Sequence, residues 1–98
     1  MILISYDIQN DKLRTKFAKY IKRYGYRLQY SVFEITNSKN VLKNIMCEIT
    51  NMFEQKFGQG DSVMLIETSE NCKITKWGFP KNEEDDIILI NWDYKLES

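Results

Sequence analysis

A single α+β domain, one antiparallel sheet backed by two helices, is what this 98-residue sequence predicts. Three observations carry the prediction. Short runs with period-two or continuous apolar character lie near the two ends of the chain. Two longer stretches between them repeat their apolar residues at helical spacing. Caps and glycines bound those stretches. The chain is short enough to be one domain, residues 1–98, and its 43% apolar and 13% aromatic content supports one core rather than a disordered tail.

The first strand is Ile2 to Ile8, with Ile2, Ile4, Tyr6 and Ile8 on one face and Leu3, Ser5 and Asp7 on the other. Asn10 or Asp11 caps the helix that follows. Leu13, Phe17, Tyr20, Ile21 and Tyr24 form its apolar stripe, and Gly25 reads as its terminator. Arg27 to Ile35 reads as a second strand, rich in β-branched and aromatic residues. Ser38 caps a second helix running to about Phe57, whose buried stripe is Leu42, Ile45, Ile49, Met52, Phe53 and Phe57; Gly58 and Gly60 end it. Ser62 to Thr68 is a third strand and Cys72 to Phe79 a weaker fourth. Pro80 and the acidic run Glu83 to Asp86 give a turn before a last apolar strand, Ile87 to Trp92. Read directly, the order is β-α-β-α-β-β-β. A β-α-β-β-α-β order requires the region around Gln29 to Ile35 to supply two strands.

Apolar and aromatic residues occupy both faces of the second strand, Leu28, Tyr30 and Val32 against Phe33 and Ile35. Two helices cover one face of a sheet, so the other calls for a partner, and a homodimer through the sheet is expected. The last strand, IILINW, can also pair with a partner's sheet edge.

Several function classes are excluded. Without histidine there is no Ser-His-Asp or Cys-His nucleophile, no imidazole base and no histidine-ligated zinc. Catalysis here has to rest on carboxylates with a hard cation. No apolar run approaches the roughly 20 residues that cross a bilayer, so no membrane association is expected. MILISYDI lacks the basic start and cleavage site of a signal peptide. Cys47 and Cys72 stand in no CxxC pattern and are expected to be reduced, partly buried thiols of a cytoplasmic protein.

The formal net charge of zero conceals a polarised chain. Residues 1–47 carry nine Lys/Arg against three acids, a balance of +6. Residues 48–98 carry five against eleven, a balance of −6. Lys12, Lys16, Lys19 and Arg23 recur at spacings of four, three and four, hence as one helical stripe, flanked by Arg14 and Lys22 and followed by Arg27. Such a stripe tracks a phosphate backbone without reading bases. A plain solvent face is the ordinary alternative, but solvent faces mix signs, and acids are nearly absent between Lys12 and Gln29.

Asp7, at the end of the first strand, is the candidate catalytic and metal-binding carboxylate. A two-fold axis through the uncovered face brings two copies of it together, and Mg²⁺ suits such a pair because it accepts carboxylate oxygen and keeps waters for phosphate. An Asp at a loop start more commonly bonds local backbone N–H groups. Ser31 is a candidate phosphate contact. Tyr24, Tyr26 and Tyr30 offer faces for base stacking, with packing the commoner role, and Trp77 and Trp92 read as packing or interface residues.

Tyr6-Asp7-Ile8, Asp11, Arg14, Tyr24-Gly25 and Gln29-Tyr30-Ser31-Val32-Phe33-Glu34 occur in order and at fixed spacing. This combination resembles the small CRISPR-associated adaptation proteins of the "Cas two" family, densely over residues 1–35 and more loosely beyond. The resemblance implies a ferredoxin-like plait and a symmetric homodimer whose C-terminal strand crosses to the partner. It implies the β-α-β-β-α-β order, either by splitting the Arg27 to Ile35 run or by taking two strands from Ser62 to Phe79. It implies a role in CRISPR spacer acquisition, in which the dimer bridges dimers of the integrase subunit and holds double-stranded DNA. Many family members are also described as Mg²⁺-dependent endonucleases on RNA or DNA. Carried over, the metal-binding aspartate is Asp7. Arg14 and Arg27 match basic positions near it, and Ser31 and Phe33 match the second-strand motif beside it, with Tyr6 adjacent. Lys16 stands where some relatives have Arg, which keeps the charge but loses bidentate phosphate geometry. A toxin-type ribonuclease of the same fold and a non-catalytic plait-fold regulatory module are the alternatives.

Overall fold

The computed structural model describes residues 1–69 and 71–79. The final strand expected at Ile87 to Trp92, the turn at Pro80 and the acidic run, and Trp92 lie outside the described residues.

The described chain runs β1 (Ile2–Asp7), α1 (Asp11–Lys22), β2 (Gly25–Gln29), β3 (Val32–Ile35), α2 (Lys39–Glu48), β4 (Ser62–Glu67) and β5 (Lys73–Gly78). All five strands join one antiparallel sheet in the order β2-β3-β1-β4-β5. The first four strands and two helices give a ferredoxin-like α+β plait, with β5 added at the β4 edge. β1 is central, paired on both sides, with Ile4 facing Phe33 on β3 and Leu65 on β4.

The expected Arg27 to Ile35 strand is a hairpin. It breaks at Tyr30-Ser31, so β-α-β-β-α-β is the correct order and the directly read order is not. Two observations explain the break. Between Arg27 and Gln29 the register slips by one residue, leaving Leu28 as a β-bulge. Tyr6, from the central strand, then holds the turn: its hydroxyl donates to Tyr30 O at 3.3 Å and its N–H to Ser31 O at 3.1 Å. Gly25 does not terminate α1, which ends at Lys22 with Arg23 as its cap. Gly25 opens β2, where a Cβ would sit 1.9 Å from Glu34 O, so the requirement is close backbone approach.

The α1 stripe is placed as the spacing predicts, with Phe17, Tyr20 and Ile21 buried and Asn10 Oδ1 accepting from the Leu13 N–H at 3.0 Å. α2 is capped by Ser38 but keeps α geometry only to Glu48. A widened π-type turn, Ile49–Phe53, and a 3₁₀ turn, Glu54–Lys56, complete the segment. The widened turn brings Phe53 rather than Met52 onto the core, so Met52, expected in the stripe, is exposed. Cys47 falls off that stripe and is exposed instead of partly buried; Cys72 is partly buried, and both are free thiols.

Phe17 joins the layers, meeting Tyr6 edge-on at 5.2 Å and Phe53 at 5.0 Å between ring centroids. Each such pair contributes about 0.5–1.5 kcal/mol beyond its buried area. Tyr20 donates to Glu48 Oε1 at 2.8 Å, and Trp77 donates to Thr50 Oγ1 at 2.8 Å, tying α1 and β5 to the α2 segment. The opposite face of the sheet presents Leu3, Val32, Met64, Ile66 and Ile74, all partly exposed, with no element of the described chain over them. Among the described residues, no helix is long and apolar enough to cross a membrane.

Candidate nucleic-acid interface and carboxylate site

β1 delivers Asp7 to the rim of the open face. The alternation that buries Ile4 and Tyr6 sends Leu3, Ser5 and Asp7 to the other side, and Asp7 is exposed opposite Ser62 of β4. Gln9 Nε2 donates to Asp7 Oδ1 at 2.9 Å. Gln9 is itself fixed from behind, because its N–H donates to Asp61 Oδ1 at 2.7 Å while Gly58 N–H donates to Asp61 Oδ2 at 2.8 Å.

Asp61 is the only buried charged residue of the described chain, at 4% exposure, and both of its oxygens accept backbone donors. The corner around it is compact. Phe79 N–H donates to Asp61 O at 2.7 Å, and Gly60 N–H donates to Phe79 O at 2.9 Å. Gly78 lies against it with φ +93°, where a Cβ would come 2.3 Å from Asp61 O, so only glycine fits. Its N–H donates to Glu54 Oε2 at 3.0 Å.

Asp7 opens into a shallow cavity of about 480 Å³ walled by Ser5, Asp7, Gln9, Arg14, Tyr30 and Ser31. Arg14 reaches it from α1, donating to Ile8 O at 3.1 Å and pairing with Asp11. The hydrogen bond that Arg14 donates to the Asp11 carboxylate, helped by nearby Tyr30, raises the guanidinium further above its usual range, so it is a permanent cation. Asp7, Arg14 and Ser31 therefore share one cavity, as do Tyr6 and the Tyr30 turn.

The other candidates lie elsewhere. Lys12, Lys16 and Lys19 form an exposed ridge on the outer face of α1 with Thr15 between them. Arg23 closes the helix with its guanidinium 5.6 Å from the Tyr24 ring centre. Arg27 lies over the Phe33 ring at 5.1 Å, on the helix side of the sheet, and does not line the Asp7 cavity. Phe33 is fully buried, a core residue with no access to a ligand. Tyr26 donates to Glu34 at 2.9 Å, Tyr24 packs against Tyr20, and Tyr30 is the most exposed of the tyrosines named.

Sequence reading missed Gln9, Asp61 and Lys56. Gln9 carries a signal, since it follows Asp7 by two positions on an extended chain. Asp61 shows only its local turn with Gly58, since its hold on Gln9 crosses the fold, and Lys56 meets α1 from the other half of the chain.

The donor set tests the Mg²⁺ expectation. The cavity offers the Asp7 carboxylate and the hydroxyls of Ser5 and Ser31, all hard oxygen ligands, but one carboxylate only. Among the described residues no three of His, Cys, Asp and Glu converge. Asp7 with Ser5 and Ser31 would hold part of a Mg²⁺ shell, and the ion would supply charge neutralisation beside the carboxylate.

The comparisons with known proteins agree with this architecture. The family model described as CRISPR associated protein Cas2 matches residues 1–76. A CRISPR-associated endoribonuclease Cas2 from Synechocystis is 32% identical over 82 residues, covering 82% of this chain and 86% of the relative. A second, from Methanospirillum hungatei, is 30% identical over 90 residues, covering 90% of this chain and 97% of the relative. A CRISPR-associated endonuclease Cas2 from Halalkalibacterium halodurans is 31% identical, covering 74% and 78%. No solved structure matches the chain. The plait, the Asp7 strand end and the matched length lead to one assignment: the chain belongs to the Cas2 family of CRISPR-associated proteins.

Proposed function

We propose that this chain acts in CRISPR spacer acquisition as a homodimeric scaffold that holds double-stranded DNA and bridges copies of the integrase subunit. The observation that carries the reading is the Lys12-Lys16-Lys19 ridge, exposed and without a carboxylate partner among the described residues. A duplex backbone suits it, because counterion release rewards a row of cations that need no precise geometry. The apolar open face, Leu3, Val32, Met64, Ile66 and Ile74, supports pairing of two copies through their sheets. That packing sets Asp7 of each copy at the rim of the joint.

A second reading, Mg²⁺-dependent endonuclease on RNA or DNA, is favoured by the exposed Asp7 in its cavity and by the nuclease names of the relatives. In that reading Asp7 binds the cation and Arg14 and Ser31 hold the phosphate.

One experiment separates them. A short DNA duplex and a single-stranded RNA are titrated across a salt series with Mg²⁺, using the native chain and an Asp7→Ala variant. Salt-sensitive duplex binding, equal in both proteins and without cleavage, is the scaffold outcome. Mg²⁺-dependent cleavage lost in the variant assigns the reaction to Asp7. Absence of duplex binding by the native chain overturns the scaffold.

A further inference from the structure

We propose that Lys16 and Lys56 together clamp one backbone phosphate of duplex DNA, in the cleft between α1 and the 3₁₀ turn. The inference deepens the duplex-binding reading above and rests on it. The cleft, about 320 Å³, is lined by Asn10, Lys12, Leu13, Lys16 and Lys56. It adjoins the ridge directly, since Lys12 and Lys16 also line the neighbouring groove with Thr15, Lys19 and Asp11, whose carboxylate is engaged by Arg14.

The two ammonium groups come from positions forty residues apart, and nothing local forces them together. Lys56 belongs to the acidic half of the chain, where five cations face eleven acids. The widened turn after α2 removes it from that half and sets it beside the basic helix. There the Lys16 ammonium pushes the pKa of Lys56 below its usual value, as expected of like charges at close range. Among the described residues the one ion pair is Arg14–Asp11, so neither lysine is neutralised by a carboxylate. An anion between them converts that repulsion into attraction. Leu13 gives the cleft an apolar wall, which limits competing water on one side. Lysine suits the task because its three donors turn freely on a point charge and accept a phosphate from many directions. A single phosphodiester is the occupant this geometry favours, because both cations line one cleft that shares Lys12 and Lys16 with the ridge groove.

The test is the salt dependence of binding to a short DNA duplex, measured on the full chain. The variants are Lys16→Gln, Lys56→Gln, the double variant, and Lys43→Gln as a charge-matched control on exposed α2 surface. The expected result is weaker binding by each single variant and a double variant whose log–log salt slope falls by about 0.9, one phosphate, rather than about 1.8 for two. Lys43→Gln is expected to follow the native chain. A Lys56→Gln variant that binds as the native chain does overturns the clamp and leaves the duplex reading standing. A slope loss near that for two phosphates assigns the lysines to separate contacts and also overturns it. A native chain with no salt-dependent binding removes the duplex reading, and the clamp with it.

Discussion

The corner behind Asp7 and the ridge along α1 are built by opposite rules. At the corner, Asp61 accepts two backbone donors, Gln9 is held from both sides, and Gly78 leaves no room for a side chain. Along the ridge, Lys12, Lys16 and Lys19 stand in solvent with no ion pair among the described residues. Hydrogen-bonded burial fixes atoms to fractions of an ångström and contributes to stability. An exposed row of like charge contributes little to stability and projects a field. The contrast teaches that the fold is rigid where the end of β1 sits and leaves the α1 cations mobile in solvent.

That contrast can be broken, and the largest lever is the corner. Asp61→Ala leaves the Gln9 and Gly58 N–H groups without their acceptors, and the expected cost is about 3 kcal/mol of unfolding free energy. Urea unfolding measures it, and a midpoint that stays within error of the native chain shows that water replaces Asp61 without cost. On the ridge the effects are reversed. Lys12→Gln with Lys19→Gln is expected to lower the salt slope of duplex binding by about 1.8. Stability should move by no more than about 0.5 kcal/mol. A large loss of stability instead makes the ridge part of the fold.

A smaller effect than the corner's belongs to the Tyr20–Glu48 bond that joins α1 to the end of α2. Burial, then the hydrogen bond to Glu48, raises the Tyr20 hydroxyl pKa well above its ordinary value near 10. With the folded value raised, the stabilisation is complete below the unfolded pKa. It is lost as pH rises above about 10, where only the unfolded chain releases the proton. Tyr20→Phe is expected to cost about 1 kcal/mol at neutral pH and to flatten the decline in urea midpoint above about pH 10. An unchanged alkaline decline places it on other groups.

What was legible in the sequence follows the range of the interactions. β1 and α1 were plain because strict alternation from Ile2 to Ile8, and a stripe through Phe17 and Ile21, are written in neighbouring residues. The YD and QYSVFE segments, taken with their spacing, carried the family and through it the plait. The hairpin was not legible directly, since Tyr30-Ser31 has none of the Gly, Asn or Pro chemistry that marks a tight turn; Tyr6 holds it from 24 positions away. Gly25 looked like a helix stop and serves instead as clearance for Glu34 O. Met52 fell on the expected helical stripe, and only the widened turn turns it outward. At the candidate site, Asp7, Arg14 and Ser31 were named and share a cavity, while the contacts of Asp61 with Gln9 and of Lys56 with α1 cross the fold and are not written in neighbouring residues.

The bulge at Leu28 has a further effect on assembly. Among the described residues β2 is an outer strand, and an outer strand with regular pairing groups invites another chain to extend it indefinitely. With Leu28 out of register, the spacing of N–H and C=O groups along that margin no longer matches a straight strand. A row of molecules added edge to edge therefore meets a mismatch at its first step. Edge-to-edge growth through β2 is thereby disfavoured by a single inserted residue.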